Sequence, residues 1–397
     1  MARSLRSITA FVYPFRALAK QVPPEQRNAA STLGAALIYR AFFRAVLVRL
    51  DAERAHRLAS RAMELLLTTP GLARALEFIL RPRKALAVST MGLRLRTPLG
   101  VAAGVDKNAT WFRGLEALGF GFVEVGTVTA QPQPGNPGPR VTRLPRDRAL
   151  LNAMGFPNEG ATAVAERLSG RGSETVIGVN IGKTKVVELD DAVADYRASA
   201  RLLARHADYI VLNVSSPNTP GLTQMQSLDR LESLIEGVRA VTSELSPSVP
   251  LLVKIGPDLE NEEIERIAEL ALSLELDGIV ATNTTTRLDA AAASADLIER
   301  LPHRGGVSGA PLKARSLEVL ELLNARLQGR IALIAVGGIE TPDDAWQRIL
   351  AGASLLQAYT AFVYQGPLWP HRMNRGIAKR LRESPWETLD EAIGKGL

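Results

Sequence analysis

The run Y-I-V-L-N-V at residues 209–214 is one of eight short apolar runs that decide the fold of this chain. Its hydrophobic residues are continuous rather than alternating, which is typical of a parallel strand buried on both faces. The other runs, separated by stretches with helical periodicity, cover residues 98–104, 121–126, 176–180, 251–255, 278–282, 332–336 and 354–359. Eight strand–helix units predict an α/β fold, a (β/α)₈ TIM barrel, with a doubly wound open sheet as the alternative.

Polar or glycine residues mark the carboxyl ends of these runs. They are Lys107, Thr127, Asn180, Asn213, Lys254, Asn283, Gly338 and Thr360. In a barrel the carboxyl ends of all strands converge on one mouth, where active sites are built. One such residue would be an ordinary turn, but eight in register predict a functional site at the mouth.

The composition excludes several kinds of chemistry. The 397 residues include no cysteine and only four histidines, no two of them close in sequence. A disulfide, a thiolate nucleophile and a Cys-ligated iron–sulfur cluster are therefore excluded, and we expect no metal site. The segment G-V-N-I-G-K-T at 178–184 has three residues between its glycines. A Walker A loop has four, so a nucleoside triphosphatase is not supported.

The positive charge is confined to the amino-terminal segment. Residues 1–50 hold eight basic side chains and one acidic side chain, which account for the formal net charge of +7, so the rest of the chain is neutral. A neutral body with a basic arm favours contact with an anionic membrane surface over nucleic-acid binding, with a solvated tail as the alternative. Residues 1–24 have the composition of a mitochondrial presequence, which equally suits an extra membrane-touching arm.

Two amphipathic stretches predict a small helical domain ahead of the barrel. The first, at 33–48, contains Arg40 and Arg44 and is too short for a membrane span, so we expect a helix in the membrane interface. The second, at 52–67, is either a helix packed on a core or half of a two-helix lid over an apolar ligand, with His56 at the edge of its apolar face. Linkers are predicted around Pro70 and at 81–84.

From about residue 37 to its end, the chain resembles the class 2, membrane-associated dihydroorotate dehydrogenases. The matching segments are A-A-G-V-D-K (102–107), G-T-V-T (126–129), Q-P-G-N-P-x-P-R (133–140), N-A-M-G-F (152–156), N-I-G-K (180–183), N-V-S-S-P-N-T-P-G-L (213–222), V-K-I-G-P-D (253–258), A-T-N-T-T (281–285), G-G-V-S-G (305–309), V-G-G-I (336–339) and G-A-S-L-L-Q-A-Y-T (352–360). The segment N-V-S-S-P-N-T is highly specific, and all the segments occur in order along the chain.

The resemblance implies an enzyme of pyrimidine biosynthesis that oxidises (S)-dihydroorotate to orotate. Its cofactor would be one FMN per chain, without metal or an iron–sulfur cluster, and its final electron acceptor would be ubiquinone or menaquinone. We therefore expect three parts: a basic extension (1–36), an amphipathic membrane and quinone-tunnel domain with its linker (37–84), and an FMN-binding catalytic barrel (85–397). The implied location is peripheral, on the cytoplasmic side of a bacterial cell membrane or on the mitochondrial inner membrane, with no nucleic-acid partner.

The resemblance also implies residue roles, carried over position by position. Ser216 would be the base that takes the C5 proton of dihydroorotate, helped by hydrogen bonding, for example to Thr219 and a water chain. The substrate residues would be Lys107, Asn152, Ala153, Met154, Gly155, Phe156, Asn213, Asn218, Asn283 and Thr284. The FMN residues would be Ala103, Gly104, Val105, Asp106, Lys107, Thr127, Asn180, Asn213, Lys254, Thr282, Gly309, Gly338, Tyr359 and Thr360. His56, Arg143 and Tyr359 would form the quinone site.

Two positions depart from the family pattern: Ala153 and Thr223 stand where the family usually has Arg. Two functions of other kinds remain as alternatives. A different FMN barrel, such as a tRNA dihydrouridine synthase, would need a cysteine acid and a basic body, and this chain has neither. A catalytically silent flavoprotein docked on a membrane would not need the complete set of Ser, Asn and Lys residues.

Overall fold

The computed structural model describes residues 34, 39, 41–43, 45–69, 71–172, 175–302 and 304–396. Almost all of the predicted basic extension, with Arg40 and Arg44 of the first amphipathic stretch, therefore lies outside the described residues.

The eight apolar runs form the strands of a closed parallel barrel. In chain order, the strands of the described chain are β1 (Val88–Thr90), β2 (Leu93–Leu95), β3 (Leu99–Val101), β4 (Phe122–Val128), β5 (Val141–Leu144), β6 (Ala149–Asn152), β7 (Val176–Ile181), β8 (Tyr209–Asn213), β9 (Leu251–Ile255), β10 (Gly278–Ala281), β11 (Gly306–Gly309), β12 (Ala332–Val336) and β13 (Leu355–Ala358). The order around the barrel is β3-β4-β7-β8-β9-β10-β12-β13, and β13 pairs back with β3. This closure confirms the TIM barrel, and the open-sheet alternative is wrong.

The remaining strands cover the two ends of the barrel. The antiparallel hairpin β1–β2 places Val88 and Leu95 in a buried cluster with Phe122 and Tyr209, which closes the amino-terminal end. The antiparallel sheet β5–β6–β11 is made from chain inserted after β4 and after β10. Its central strand carries Asn152, which pairs with Val141 on one side and Gly306 on the other. Neither sheet was predicted from the sequence.

Helices surround the barrel and precede it. They are α1 (Ala52–Thr68), α2 (Leu72–Leu80), α3 (Phe112–Ala117), α4 (Gly160–Ser169), α5 (Ala192–Leu203), α6 (Leu228–Leu245), α7 (Asn261–Ser273), α8 (Ala295–Glu299), α9 (Lys313–Leu327), α10 (Pro342–Leu350), α11 (Thr360–Gln365), α12 (Trp369–Glu383) and α13 (Leu389–Ala392). Helix α1 is the second predicted amphipathic stretch. Helix α2 lies between the two predicted linker positions and is an element that the sequence analysis missed.

Glycines allow aromatic rings to fill the barrel interior. A Cβ atom on Gly100 would lie 2.3 Å from the Phe122 ring, and one on Gly178 would lie 2.0 Å from the Tyr209 ring. The two rings meet edge to face, with centroids 6.3 Å apart. The lower half of the barrel is therefore packed solid, and space for a ligand is left at the carboxyl ends of the strands.

Ionic and polar contacts hold α1 against the barrel. Asp51 caps the helix by accepting a hydrogen bond from the Arg54 N–H at 2.9 Å. The Glu53 carboxylate accepts hydrogen bonds from two guanidinium nitrogens of Arg140 at 3.0 to 3.3 Å. The guanidinium of Arg143 donates to the Leu50 carbonyl at 2.8 Å. Among the described residues, no helix combines the length and apolar character needed to cross a bilayer.

Candidate active site

A cavity opens at the carboxyl ends of the barrel strands; it holds about 1250 Å³ of empty space when the solvent at its open mouth is included. It brings together most of the predicted site residues. Those that line it are Ala103, Gly104, Lys107, Thr127, Asn152, Met154, Gly155, Phe156, Asn213, Ser216, Asn218, Lys254, Thr282, Asn283, Thr284, Gly309, Gly338, Tyr359 and Thr360. Residues from seven of the eight barrel units therefore share one space, while Asn180, the predicted polar residue of β7, does not line it.

Four predicted residues lie behind the lining rather than in it. Asn180 is fully buried, and Val105 belongs to the main hydrophobic core. The carboxylate of Asp106 accepts the backbone N–H groups of Thr110 and Trp111, so it fixes the turn that presents Lys107. Ala153 is buried and hydrogen-bonds through its backbone N–H to the carbonyl of Arg140.

A chain of buried amide and hydroxyl groups runs from the cavity into the barrel. Asn213 donates to Thr127 Oγ1 at 2.9 Å and to Asn180 Oδ1 at 3.2 Å, and the Thr127 hydroxyl donates to the same Asn180 oxygen at 2.6 Å. Asn180 in turn donates to Glu124 Oε1 at 2.8 Å. These residues meet because β4, β7 and β8 are neighbours, with Gly126 in register with Asn180.

Glu124 is a site residue that the sequence analysis missed. Its carboxylate is fully buried inside the barrel, where Gln357 donates to it and Tyr209 lies at hydrogen-bond distance, 3.5 Å. Lys254 Nζ lies 4.0 Å from Glu124 Oε1, and Lys254 is paired with Asn213 across β8 and β9. A single charged residue in the otherwise apolar run G-F-V-E-V-G was the available signal.

The Lys254 ammonium sits at the boundary between this network and the cavity. It is buried and lines the cavity wall. Burial lowers the pKa of Lys254, and the neighbouring Glu124 carboxylate raises it in opposition. Glu124 therefore stabilises a positive charge that burial alone would disfavour.

Four asparagines form a polar clamp on one side of the cavity. Asn218 donates to both the backbone and the side-chain oxygen of Asn152 at 3.1 Å, and Asn152 donates to the Gly306 carbonyl at 3.2 Å. Asn136, on the loop after β4, donates to the carbonyls of Ala153 and Asn218 and links the two halves of the clamp.

Asn283, in the loop after β10, is the fourth member of the clamp. It donates to Asn213 Oδ1 at 3.3 Å and to Ser215 Oγ at 3.1 Å. Side-chain amides carry both donors and acceptors, so this arrangement can recognise a ring with amide groups of both kinds.

Ser216 lies beside this clamp on the loop after β8. It is buried, and its Oγ accepts the backbone N–H of Asn218 at 3.3 Å. Thr219 is also buried, and its hydroxyl oxygen has no partner in the described part of the chain. The structure records no direct bond between Ser216 and Thr219, so the predicted contact between them is not present here.

Three cations line the cavity, and they differ in their partners. Arg148 pairs with Glu340 at 2.8 Å, and Lys254 faces Glu124. Lys107 Nζ donates to the Gly104 carbonyl at 2.6 Å, and no carboxylate within the described ranges forms an ion pair with it. Burial lowers the pKa of Lys107 to about 8. Lys107 is thus the lining cation best able to take an anionic group of a ligand.

On the other side of the cavity, two backbone N–H groups have no hydrogen-bond acceptor in the described chain. The N–H groups of Gly338 and Ile339, both lining residues, make no hydrogen bond within the described chain. Gly338 has φ +65°, and a Cβ atom there would lie 2.4 Å from Lys313 Cα, so this position requires glycine. The hydroxyl oxygen of Thr282 is likewise buried and unpartnered among the described residues.

The three predicted quinone residues come from α1, β5 and the end of β13. The His56 ring meets Trp111 edge-on, with centroids 5.4 Å apart, and burial, followed by the charges of Lys107 and Arg57, lowers its pKa to about 3. Burial raises the pKa of Tyr359 to about 12. Tyr359 also lines the cavity, and its ring packs on Gly104, where a Cβ atom would lie 3.4 Å from it. Tyr359 therefore belongs to the cavity wall, and the charge of Glu53 on α1 adds to the rise of its pKa.

Comparison with known proteins gives a consistent result. A family model described as "Dihydroorotate dehydrogenase" matches residues 85–381. A "Dihydroorotate dehydrogenase (quinone)" from Thermobifida fusca is 52% identical over 364 residues, covering 90% of this chain and 96% of that protein. One from Streptomyces coelicolor is 52% identical over 362 residues, covering 90% of this chain and 98% of that protein.

A solved structure agrees with the sequence matches. The crystal structure of DHODH in complex with ferulenol from Eimeria tenella superposes with a TM-score of 0.76 at 38% identity, covering 87% of this chain and 95% of that one. The matches leave no support for the two alternative functions, another FMN barrel and a silent flavoprotein. This chain therefore belongs to the dihydroorotate dehydrogenase family and, within it, to the quinone-dependent class 2 enzymes.

Proposed function

We propose that this quinone-dependent dihydroorotate dehydrogenase of pyrimidine biosynthesis binds one FMN in the cavity and oxidises dihydroorotate at Ser216. We propose further that electrons leave toward a quinone held between α1 and the barrel. The observation that carries the proposal is the convergence of three features on one cavity: an asparagine clamp with Lys107, the buried Ser216, and a wall with Lys254 and unpaired backbone donors.

The cavity wall fits FMN in its polar chemistry. The unpaired N–H groups of Gly338 and Ile339 suit a phosphate, which prefers backbone amides at glycine turns. Thr282, whose hydroxyl lacks a partner in the described chain, and Lys254 suit the polar edge of the ring. When bound, FMN supplies the acceptor for the substrate's hydride and the electrons for the quinone. The Lys254 ammonium favours negative charge on the ring.

Ser216 is proposed to take the C5 proton of dihydroorotate. A serine hydroxyl is too weakly acidic to ionise by itself, so Ser216 must give its own proton to a neighbouring acceptor as it takes the C5 proton, and its oxygen needs stabilisation while it carries negative charge. The Asn218 N–H, which already donates to Ser216 Oγ, supplies part of it. The unpartnered Thr219 hydroxyl is close in sequence and buried, and it can pass the proton onward through water.

The clamp and Lys107 are proposed to hold the substrate ring and its carboxylate. In this chain Ala153 stands where the family usually has Arg, so a cation is missing from that side. Lys107 has no ion-pair partner among the described carboxylates and can take the role. Asn152, Asn218 and Asn283 then satisfy the ring amides.

The quinone and membrane assignments rest on the helical segment. Apolar side chains of α1 and α2 stand in solvent, with Leu65 70%, Phe78 84% and Ile79 66% exposed. Such a surface, in a chain whose first 50 residues carry its net positive charge, suits the interface of an anionic bilayer. We propose that the enzyme is peripheral to that membrane and that His56, Arg143 and Tyr359 meet the quinone head.

Replacing Ser216 tests the base. We expect Ser216→Ala to slow flavin reduction by dihydroorotate about 10²–10⁴-fold, because loss of a general base has this effect, while orotate still binds the intact clamp. Anaerobic stopped-flow measurement without quinone isolates the step. Ser233→Ala, an exposed serine on α6, is the matched control. An unchanged rate in Ser216→Ala would remove Ser216 from its role.

The titration of Lys107 predicts how orotate binding depends on pH. Its pKa of about 8 means that the ammonium is complete in neutral solution and lost as pH rises through that value. We expect the orotate Kd to be constant near neutrality and to rise about tenfold per pH unit at higher pH. The measurement is an orotate titration followed by flavin absorbance. Lys107→Arg stays charged and should lose this rise; an identical rise in that variant would contradict the assignment.

The quinone residues predict a separation of the two half-reactions. His56→Ala and Arg143→Ala should each lower kcat/KM for a long-tailed quinone by about 10- to 100-fold, the range for one lost polar contact to a charged or buried group. Reduction of the flavin by dihydroorotate should keep its rate, because the clamp is untouched. The control is Arg54→Ala, because Arg54 is an exposed residue on α1, the helix that carries His56. Full quinone turnover in both variants would rule out this quinone site.

A further inference from the structure

Arg348, on α10, is a buried cation without a contacting carboxylate in the described chain. Its side chain is fully buried, and its guanidinium donates to four oxygens at 3.0 to 3.2 Å. These are the carbonyls of Asp344, Lys313 and Gly337 and the hydroxyl of Ser316. Its Nε has no acceptor among the described residues.

The nearest acid does not neutralise it. The Asp344 carboxylate forms an ion pair with the Lys313 ammonium at 2.9 Å and accepts hydrogen bonds from the backbone N–H groups of Glu340 and Thr341. Burial lowers the pKa of Arg348 to about 10, so the guanidinium stays charged at neutral pH. A buried charge is costly unless an opposite charge or a full set of hydrogen bonds compensates it.

A single residue, Gly337, connects Arg348 to the cavity. Gly337 lines the cavity, and its carbonyl is held from behind by Arg348 at 3.1 Å and by the Ser316 hydroxyl at 3.0 Å. With that carbonyl directed to the helices, the next two N–H groups, of Gly338 and Ile339, remain without acceptors in the described chain. The loop is also fixed by the close approach of Gly338 to Lys313.

We propose that Arg348 is a positioning residue for the phosphate of the bound FMN. It holds the Gly337–Gly338 turn in the conformation that offers free backbone donors, and its charge is balanced across the turn by the phosphate dianion. It touches neither the phosphate nor the reacting atoms, and it acts through the turn. The inference rests on the proposed function, because it needs FMN in this cavity.

The test compares two flavins that differ only in the phosphate. FMN and riboflavin are titrated into the full chain freed of flavin, for wild type and Arg348→Met, with flavin fluorescence as the readout. We expect the FMN Kd to rise about 10- to 100-fold in Arg348→Met, while the riboflavin Kd changes less than about threefold. Arg266→Met, an exposed arginine on α7, should change neither.

Equal weakening of both flavins in Arg348→Met would make Arg348 a merely structural residue, and no weakening of FMN would also overturn the proposal. Should this variant fail to fold, Arg348→Lys, which keeps the charge but not the forked contacts, gives the same comparison. We expect it to lose FMN affinity selectively, by about three- to tenfold, and equal losses for both flavins would again be contrary. A wild-type chain that bound neither flavin would contradict the proposed function instead.

Discussion

The site depends on one buried carboxylate. Glu124, on β4, is fully enclosed by the barrel, and four other strands each direct a polar group to it: Asn180, Tyr209, Lys254 and Gln357. An isolated carboxylate at this depth would be strongly destabilising, so its partners are required rather than optional. The requirement fixes the side chains of β7, β8, β9 and β13 toward the barrel axis, and it fixes the Lys254 ammonium at the base of the cavity.

The barrel interior is apolar on one side of Glu124 and polar on the other. Below Glu124 the barrel is filled by Phe122 and Tyr209, which pack against strand glycines and leave no room for a ligand. Above it, Asn180, Thr127 and Asn213 are hydrogen-bonded to one another, and Asn213 accepts a hydrogen bond from Asn283 of the clamp at the mouth. A preorganised polar wall costs no rearrangement when substrate arrives, which is what catalysis by positioning requires.

Much of this could be predicted from sequence because it is local. Eight continuous apolar runs predicted the barrel strands, and seven of the eight predicted polar ends line the cavity, since the carboxyl ends of parallel strands converge. Glu124 could not be assigned in this way, because its partners lie on strands far apart in sequence. The same holds for Arg348, for the Glu53–Arg140 pair and for the sheet β5–β6–β11, which depend on long-range pairing rather than on local pattern. Almost all of the basic extension lies outside the described residues, and its role remains a prediction.

In the proposed function, dihydroorotate and FMN share the cavity above Glu124. The most direct measurement is an anaerobic titration of the purified chain with dihydroorotate, followed by the flavin absorbance. We expect each chain to carry one FMN, dihydroorotate to bleach it without quinone, and one orotate to form for each flavin reduced. A chain that carries no FMN and cannot be reconstituted with it, or a bound FMN whose absorbance dihydroorotate leaves unchanged, would rule out a shared cavity for the two.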